Sequence, residues 1–230
     1  MSFTDGEVTA ILLSLRIALV AALVSLPFAI WVAFLLARRD FWGRAVLNGL
    51  VHLPLVLPPV VTGYLLLTTF GRRGAIGSAL ESCCGIVLSF RWTGAVLAAA
   101  IMAFPLIVRA IRLSMEAVDP KIEAAASTLG ASPLMVFVTV TLPLSLPGIL
   151  AGAILGFAKA LGEFGATITF VSNIPGETQT IASAIYGYTQ TPGGEAGTWR
   201  LMIVSIIIAM IALLLSELCA RRISRRGLDL

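Results

Sequence analysis

Long runs of apolar residues constrain this chain more than any other feature of its sequence. Five runs approach or exceed the roughly 20 residues that an α-helix needs to cross a bilayer. Charged residues make up only 12% of the chain, about half of their usual share in a soluble domain. The sequence therefore predicts an all-α, polytopic integral membrane protein, with a single transmembrane domain over residues 1–230. We place its five transmembrane helices at about 8–37, 46–70, 92–113, 143–170 and 201–220.

The distribution of basic residues predicts the orientation of these spans. If the N-terminus lies outside, the inner segments carry ten Lys and Arg residues and the outer connections carry four. Short inner loops are enriched in basic residues, so this arrangement is favoured. We therefore expect a multi-pass protein of the cytoplasmic (inner) membrane with its C-terminus in the cytoplasm. Residues 71–90 could form an additional span, which would put both ends on the same side.

Prolines interrupt the second apolar run. Pro54, Pro58 and Pro59 lie within the stretch HLPLVLPPVV at residues 52–61. Each removes a backbone donor and obstructs the preceding turn, so a straight helix is not expected here. Freed carbonyl groups need partners other than lipid, and this predicts that the run is internal to the bundle.

The segment 114–142 is the longest part of the chain that is not strongly apolar, and it predicts two short helices. Asp119 is a favourable N-cap and Pro120 suits the first helical position. Gly130 suits the left-handed position after a helix end. Ser132 and Pro133 repeat the start signal, and Pro143 is expected to interrupt or kink the second helix.

The same segment resembles the cytoplasmic EAA loop of ABC importer permeases. That pattern is E-A-A, three residues, G, nine residues and I-x-L-P. Here nine residues separate Gly130 from the final four, Val140 to Pro143, and Glu123 lies one residue ahead of the usual acidic position. Five further stretches are similar to the molybdate permeases of this family: 52–67, 71–77, 103–113, 161–178 and 191–195.

The resemblance implies a type I ABC importer permease fold and the import of molybdate, with sulfate or tungstate as the alternative cargo. It also implies a homodimer, cytoplasmic ABC ATPase subunits and an extracytoplasmic molybdate-binding protein. The residues expected to contact the ATPase are Asp119, Glu123, Ala124, Ala125, Leu129 and Gly130. The two lysines, Lys121 and Lys159, do not follow glycines, so the chain has no G-K-[ST] phosphate loop. We therefore expect no catalytic residues and no cofactor in this chain, with ATP and Mg²⁺ used by the partner ATPase.

Two charged residues in the fourth apolar run are candidates for the translocation pathway. Lys159 and Glu163 are four residues apart and could pair on one helix face. Charges inside a membrane usually face a bundle interior or a pathway. A buried structural pair between packed helices is the alternative.

Small and polar neighbours extend this candidate region. Gly162 and Gly165 could serve a gate or tight helix packing. Hydroxyl and amide groups could solvate a passing oxyanion, or they could instead satisfy the helix backbone. These polar candidates are Thr167, Thr169, Ser172 and Asn173.

Other classes of function receive less support from the sequence. A passive channel or secondary carrier would be marked by a coupled-ion site or an inverted repeat, and neither is recognisable. A membrane-embedded enzyme would need a convergent catalytic set, which is missing. His52 is the single histidine and has no neighbour at ligand spacing, so no metal site is expected. Membrane lipid is an expected partner and nucleic acid is not.

Overall fold

The computed structural model describes residues 3–226, so both ends of the predicted domain 1–230 lie outside the described residues. The side chains of the four C-terminal arginines also lie outside them. Throughout residues 3–226 the regular structure is helical, which confirms the predicted fold class. In chain order the helices are α1 (Asp5–Arg38), α2 (Arg44–Val56), α3 (Pro59–Phe70), α4 (Ala75–Cys84), α5 (Trp92–Glu116), α6 (Pro120–Thr128), α7 (Pro133–Val136), a π-helical segment (Phe137–Thr141), α8 (Leu142–Leu144), α9 (Leu146–Leu161), α10 (Gly165–Val171), α11 (Ile181–Thr189) and α12 (Glu195–Arg226).

Three of these helices, α1, α5 and α12, are long and apolar enough to cross a membrane. Two bent pairs would bring the number of spans to five: α2 with α3, bent by 112°, and Pro133–Leu144 with α9, bent by 66°. Between α3 and α5, residues 71–90 contain only the ten-residue helix α4. Such a helix is about 15 Å long, half of the hydrocarbon thickness, so it is too short to cross.

The centre of the bundle is formed by α1, α5 and α9, and glycines let two of these helices approach closely. Gly148, Gly152 and Gly156 form a stripe along α9 that faces α5. A Cβ atom on Gly148 would lie 2.1 Å from the Cβ atom of Ser114, and one on Gly156 would lie 2.5 Å from the side chain of Ile107. This is the small-residue packing by which membrane helices gain close van der Waals contact.

The short helices α3 and α10 also pack closely through glycines. A Cβ atom on Gly63 would lie 2.5 Å from the carbonyl oxygen of Ala166, and one on Gly165 would lie 2.7 Å from the Cβ atom of Pro59. Two glycines, one on each helix, therefore bring the two backbones into direct contact.

The structure corrects two expectations about the apolar runs. Within this single chain the proline-rich run is only partly internal: α3 buries Thr62, Gly63 and Leu66, but α2 buries Val51 alone, and Val56 is 81% exposed. The sharp bend after Val56 turns α2 away from the bundle, so the helix touches it along one edge. The run at 143–170 is not one helix either, because the chain breaks at Ser145 and again at 162–164.

Pro143 is accommodated by a local change of helix type. The wider turns of the π-helical segment lie immediately before it, and the amide of Leu142 donates to the carbonyl oxygen of Phe137. The hydroxyl of Thr139 donates to the carbonyl oxygen of Met135 at 2.6 Å. The interruption predicted at this proline is therefore a π-helical turn, and the bend follows two residues later at Ser145.

Candidate functional site

The loop between α5 and the π-helical segment has the caps that its sequence predicts. The carboxylate of Asp119 accepts the amide hydrogen of Lys121 at 2.9 Å, and the hydroxyl of Ser132 accepts that of Met135 at 3.3 Å. Gly130 has a φ of 89°, the left-handed conformation that ends α6 at low cost only for glycine. The predicted short helices at this place are therefore confirmed.

This loop presents apolar side chains to its surroundings. Every residue of α6 is at least partly exposed, including Ala124 and Ala125. The side chain of Leu129 is 89% exposed and that of Leu134 is 73% exposed. We call the set formed by Ile122, Leu129, Leu134 and Met135 the loop surface. Several large apolar side chains exposed within one short loop are typical of a docking site for another protein.

Glu123 ties this loop to the membrane helices. Its Oε1 atom accepts hydrogen bonds from Arg38 Nε at 3.1 Å and from Thr141 Oγ1 at 2.6 Å. Arg38 also donates to the carbonyl oxygen of Val118 at 2.9 Å. One carboxylate therefore joins α6 to the end of α1 and to the π-helical segment. We call Arg38, Glu123 and Thr141 the bracket.

No sequence pattern predicts the bracket. Arg38 and Glu123 are 85 residues apart, and Thr141 carries no motif that points to either of them. The sequence placed Glu123 among the residues that contact a partner, but its carboxylate is engaged within the chain. The other members of that set, Asp119, Ala124, Ala125, Leu129 and Gly130, are all exposed.

The candidate pathway residues gather at the break between α9 and α10. Lys159 Nζ lies 2.7 Å from Glu163 Oε2, so the predicted pair forms. The two residues are not on one helix, however, because α9 ends at Leu161 and Glu163 lies in the break. Glu163 Oε1 also accepts the amide hydrogen of Ala166 at 3.0 Å. The carboxylate, only 2% exposed, thereby satisfies a free amide in the first turn of α10.

The hydroxyl groups near the break serve the backbone. Thr167 donates to the carbonyl oxygen of Phe164 at 2.9 Å, and Thr169 donates to that of Gly165 at 2.8 Å. Both contacts fit the backbone-satisfying alternative, since the hydroxyl protons are already engaged.

The remaining candidates differ in their surroundings. Ser172 is exposed and has a φ of 66°, while Asn173 donates to the carbonyl oxygen of Ser183 at 3.4 Å. Gly162 is exposed, and a Cβ atom there would have 3.9 Å to its nearest neighbour, so Gly165 is the glycine that packs tightly.

A second ion pair that the sequence did not predict joins the first and last helices. Glu7 is almost completely buried, and its carboxylate receives Arg200 Nη2 at 2.6 Å and Arg200 Nε at 3.1 Å. Glu7 also closes a capping box with Thr4 at the start of α1. Within residues 3–226, no group of three His, Cys, Asp or Glu side chains could hold a metal ion.

The fold is that of a type I ABC importer permease, a membrane subunit that lets a solute cross the bilayer. A solved structure described as a bacterial alginate ABC transporter, in complex with an alginate-pentasaccharide-bound periplasmic protein, superimposes with a TM-score of 0.74. The match covers 96% of this chain and 80% of that chain at 17% sequence identity, so it bears on the fold alone.

Sequence comparisons give the family. A family described as "Binding-protein-dependent transport system inner membrane component" matches residues 25–226. The molybdenum transport system permease protein ModB of Escherichia coli K12 is 62% identical over 221 residues, 96% of each chain. A probable sulfate transport system permease protein of Chlorella vulgaris is 35% identical over 208 residues, 90% of this chain and 77% of its own. The chain belongs to the binding-protein-dependent transport permeases and, within them, to the molybdenum transport permeases.

Proposed function

We propose that this chain is the permease subunit of an ATP-driven importer that moves molybdate across the cytoplasmic membrane. The greater identity to the molybdenum permease of E. coli, 62% against 35% for the sulfate relative, supports molybdate over sulfate as the cargo. Tungstate has the same charge and tetrahedral shape, so the uptake experiment has to separate these two oxyanions.

The observation that carries the proposal is an apolar surface held rigidly to a membrane helix. The loop surface offers Leu129 and Leu134 to a partner, and the bracket links α6 directly to Arg38 at the end of α1. A partner that docks on the loop surface and moves can therefore transmit its displacement to the spans. In the proposed complex this partner is a cytoplasmic ABC ATPase, and ATP binding moves the loops of two permeases together, as in rigid-body switching.

The exposed apolar faces of α2 and α3 support a second copy of the chain as the other membrane partner. Val56 on α2 and Tyr64 and Leu65 on α3 are all exposed in the single chain. A homodimer would cover these faces. The pathway then lies at the two-fold axis, bordered by the break between α9 and α10.

The arginine distribution supports the orientation in the proposed complex. Arg38 and the loop surface lie on the cytoplasmic side, and the N-terminus lies outside with the C-terminus inside. The molybdate-binding protein accordingly docks on the side of α4 and α11, opposite the ATPase.

The proposal is tested by uptake into vesicles that contain the permease, its ATPase and its binding protein. We expect ATP-dependent accumulation of molybdate that excess sulfate does not suppress. Replacing Leu129 with Gln should lower uptake about tenfold, the effect of losing about 1.4 kcal/mol at an apolar side chain that anchors the docked partner. Leu113→Gln, at an exposed position of α5 outside the loop surface, is the matched control and should keep normal uptake.

Four outcomes would overturn parts of the proposal. Uptake without ATP would favour a channel or carrier. Suppression by sulfate would favour a sulfate importer, and a fall to half or less with an equal concentration of tungstate would show that the complex does not select molybdate. Normal uptake by the Leu129→Gln variant, at normal membrane abundance, would remove the loop surface from the coupling.

A further inference from the structure

A cavity of about 910 Å³ lies at the end of the bundle opposite the bracket. It is bounded by α1, by the residues that follow α3, by the approach to α5 and by the connection after α10. Three arginines line it, Arg16, Arg72 and Arg91, together with the aromatic residues Phe90 and Trp92. Under the proposed orientation this is the outer side, where basic residues are disfavoured. The presence of three arginines around one cavity on this side therefore indicates an anionic ligand.

The three arginines lie at the level where the membrane core ends. Residues 17–37 of α1 carry no charge, and these 21 residues rise about 32 Å, the thickness of the hydrocarbon core. Arg16 therefore marks one boundary of the core and Arg38 the other. Arg72 follows the end of the apolar run of α3 by two residues, and Arg91 immediately precedes α5. The cavity consequently lies at the depth of lipid headgroups.

The aromatic and apolar neighbours are those of a membrane interface. The guanidinium carbon of Arg16 lies 3.9 Å from the ring centroid of Trp92, a cation–π contact. Tryptophan is enriched at headgroup depth. One and two turns further along α1, Leu19 and Leu23 are exposed on the same side of the helix as Arg16. An acyl chain can lie along these side chains while its headgroup reaches the arginines.

The charge of the cavity suits an anion. Arg72 Nε lies 3.8 Å from Glu81, and Glu177 also lines the cavity. Among the described residues, neither Arg16 nor Arg91 takes part in an ion pair. Two guanidinium groups are therefore available, and guanidinium groups bind phosphate oxygens with two parallel hydrogen bonds.

We infer that this cavity binds the phosphate of an anionic phospholipid in the outer leaflet, through Arg16 and Arg91. A free oxyanion shares this chemistry, but the depth of the cavity and the apolar stripe below Arg16 favour a ligand that carries acyl chains. Bound lipid fixes the outer ends of α1 and α5 relative to the bilayer. The inference does not depend on which solute the permease carries.

The test measures lipid association with the full-length permease in phosphatidylcholine nanodiscs. Spin-labelled phosphatidylglycerol and spin-labelled phosphatidylcholine are compared by the motionally restricted fraction of their spectra. We expect phosphatidylglycerol to be preferred, and the preference to fall about fivefold for each arginine removed in Arg16→Gln and Arg91→Gln. Arg73→Gln is the matched control: it removes the same charge beside Arg72 from a residue that does not line the cavity, and it should retain the preference.

The outcomes separate the possible occupants. Equal association of both lipids with the wild-type permease would overturn the inference. This result is expected if a second copy of the chain covers the cavity. A preference that survives in the Arg16→Gln/Arg91→Gln variant, or that falls equally in Arg73→Gln, would also overturn it. Displacement of labelled phosphatidylglycerol by millimolar molybdate or phosphate at constant ionic strength would assign the cavity to a free oxyanion instead. All three arginines replaced are exposed, so the variants should elute from size exclusion as the wild type does.

Discussion

Replacing Glu123 with Gln should loosen the attachment of α6 without unfolding the membrane bundle. The substitution keeps the shape of the side chain but removes its charge. The bracket then loses the ion pair with Arg38, whose side chain is 15% exposed, and weakens the 2.6 Å bond from Thr141. A charge-assisted hydrogen bond exceeds a neutral one by about 1 kcal/mol, and a partly buried pair adds about as much again. The sum, about 2 kcal/mol, lowers the ratio of docked to undocked α6 about 30-fold.

Two measurements report this change. Hydrogen exchange at the amides of α6 should accelerate when the helix undocks. In vesicles with the partner ATPase, the number of ATP molecules hydrolysed per molybdate imported should rise. Thr141→Val removes one of the two bonds and should give a smaller effect of the same sign. Glu116→Gln is the matched control, because it removes a carboxylate that pairs with Arg112 outside the bracket. If the amides of α6 exchange at the wild-type rate in Glu123→Gln, the bracket does not hold α6 to the membrane helices.

Three further predictions concern the interior. Glu7→Gln should lower the thermal unfolding midpoint of the purified permease by about 5–10 °C. The substitution leaves the guanidinium group of Arg200 without its charged partner. An unchanged midpoint would contradict this prediction. Glu163→Ala should reduce membrane abundance more than Glu163→Gln, whose amide oxygen can still accept the hydrogen bond that begins α10; equal abundance would argue against capping. Gly165→Ala should also reduce abundance, since its Cβ would lie 2.7 Å from a carbon of α3, whereas Gly162→Ala should be tolerated.

Local rules were sufficient to predict the loop. Asp119 and Ser132 cap their helices and Gly130 adopts the left-handed conformation, because these features depend on the backbone of a few neighbouring residues. The apolar runs predicted the all-helical membrane fold, and the family resemblance, which rests on residues spread over most of the chain, predicted its type.

Features that depend on tertiary contacts could not be predicted. The bracket joins residues from three separate elements, and the pair of Glu7 with Arg200 joins positions 193 residues apart. The break after Leu161 could not be predicted from the sequence either, because an apolar run rich in glycine and alanine is compatible with one long helix as well as with two short ones. The apolar run indicated how much chain can enter the bilayer but not where its direction changes.

The pair at that break has an electrical consequence. Lys159 and Glu163 carry opposite charges 2.7 Å apart, so the segment that contains them has no net charge. A single elementary charge crossing the membrane field would exchange about 2.3 kcal/mol of work per 100 mV. If the segment from Lys159 to Glu163 moves as one piece during transport, the membrane voltage does almost no work on the movement. Under the proposed function that movement would cost the same free energy in energised and de-energised cells, while a Glu163→Gln variant would make the cost depend on voltage.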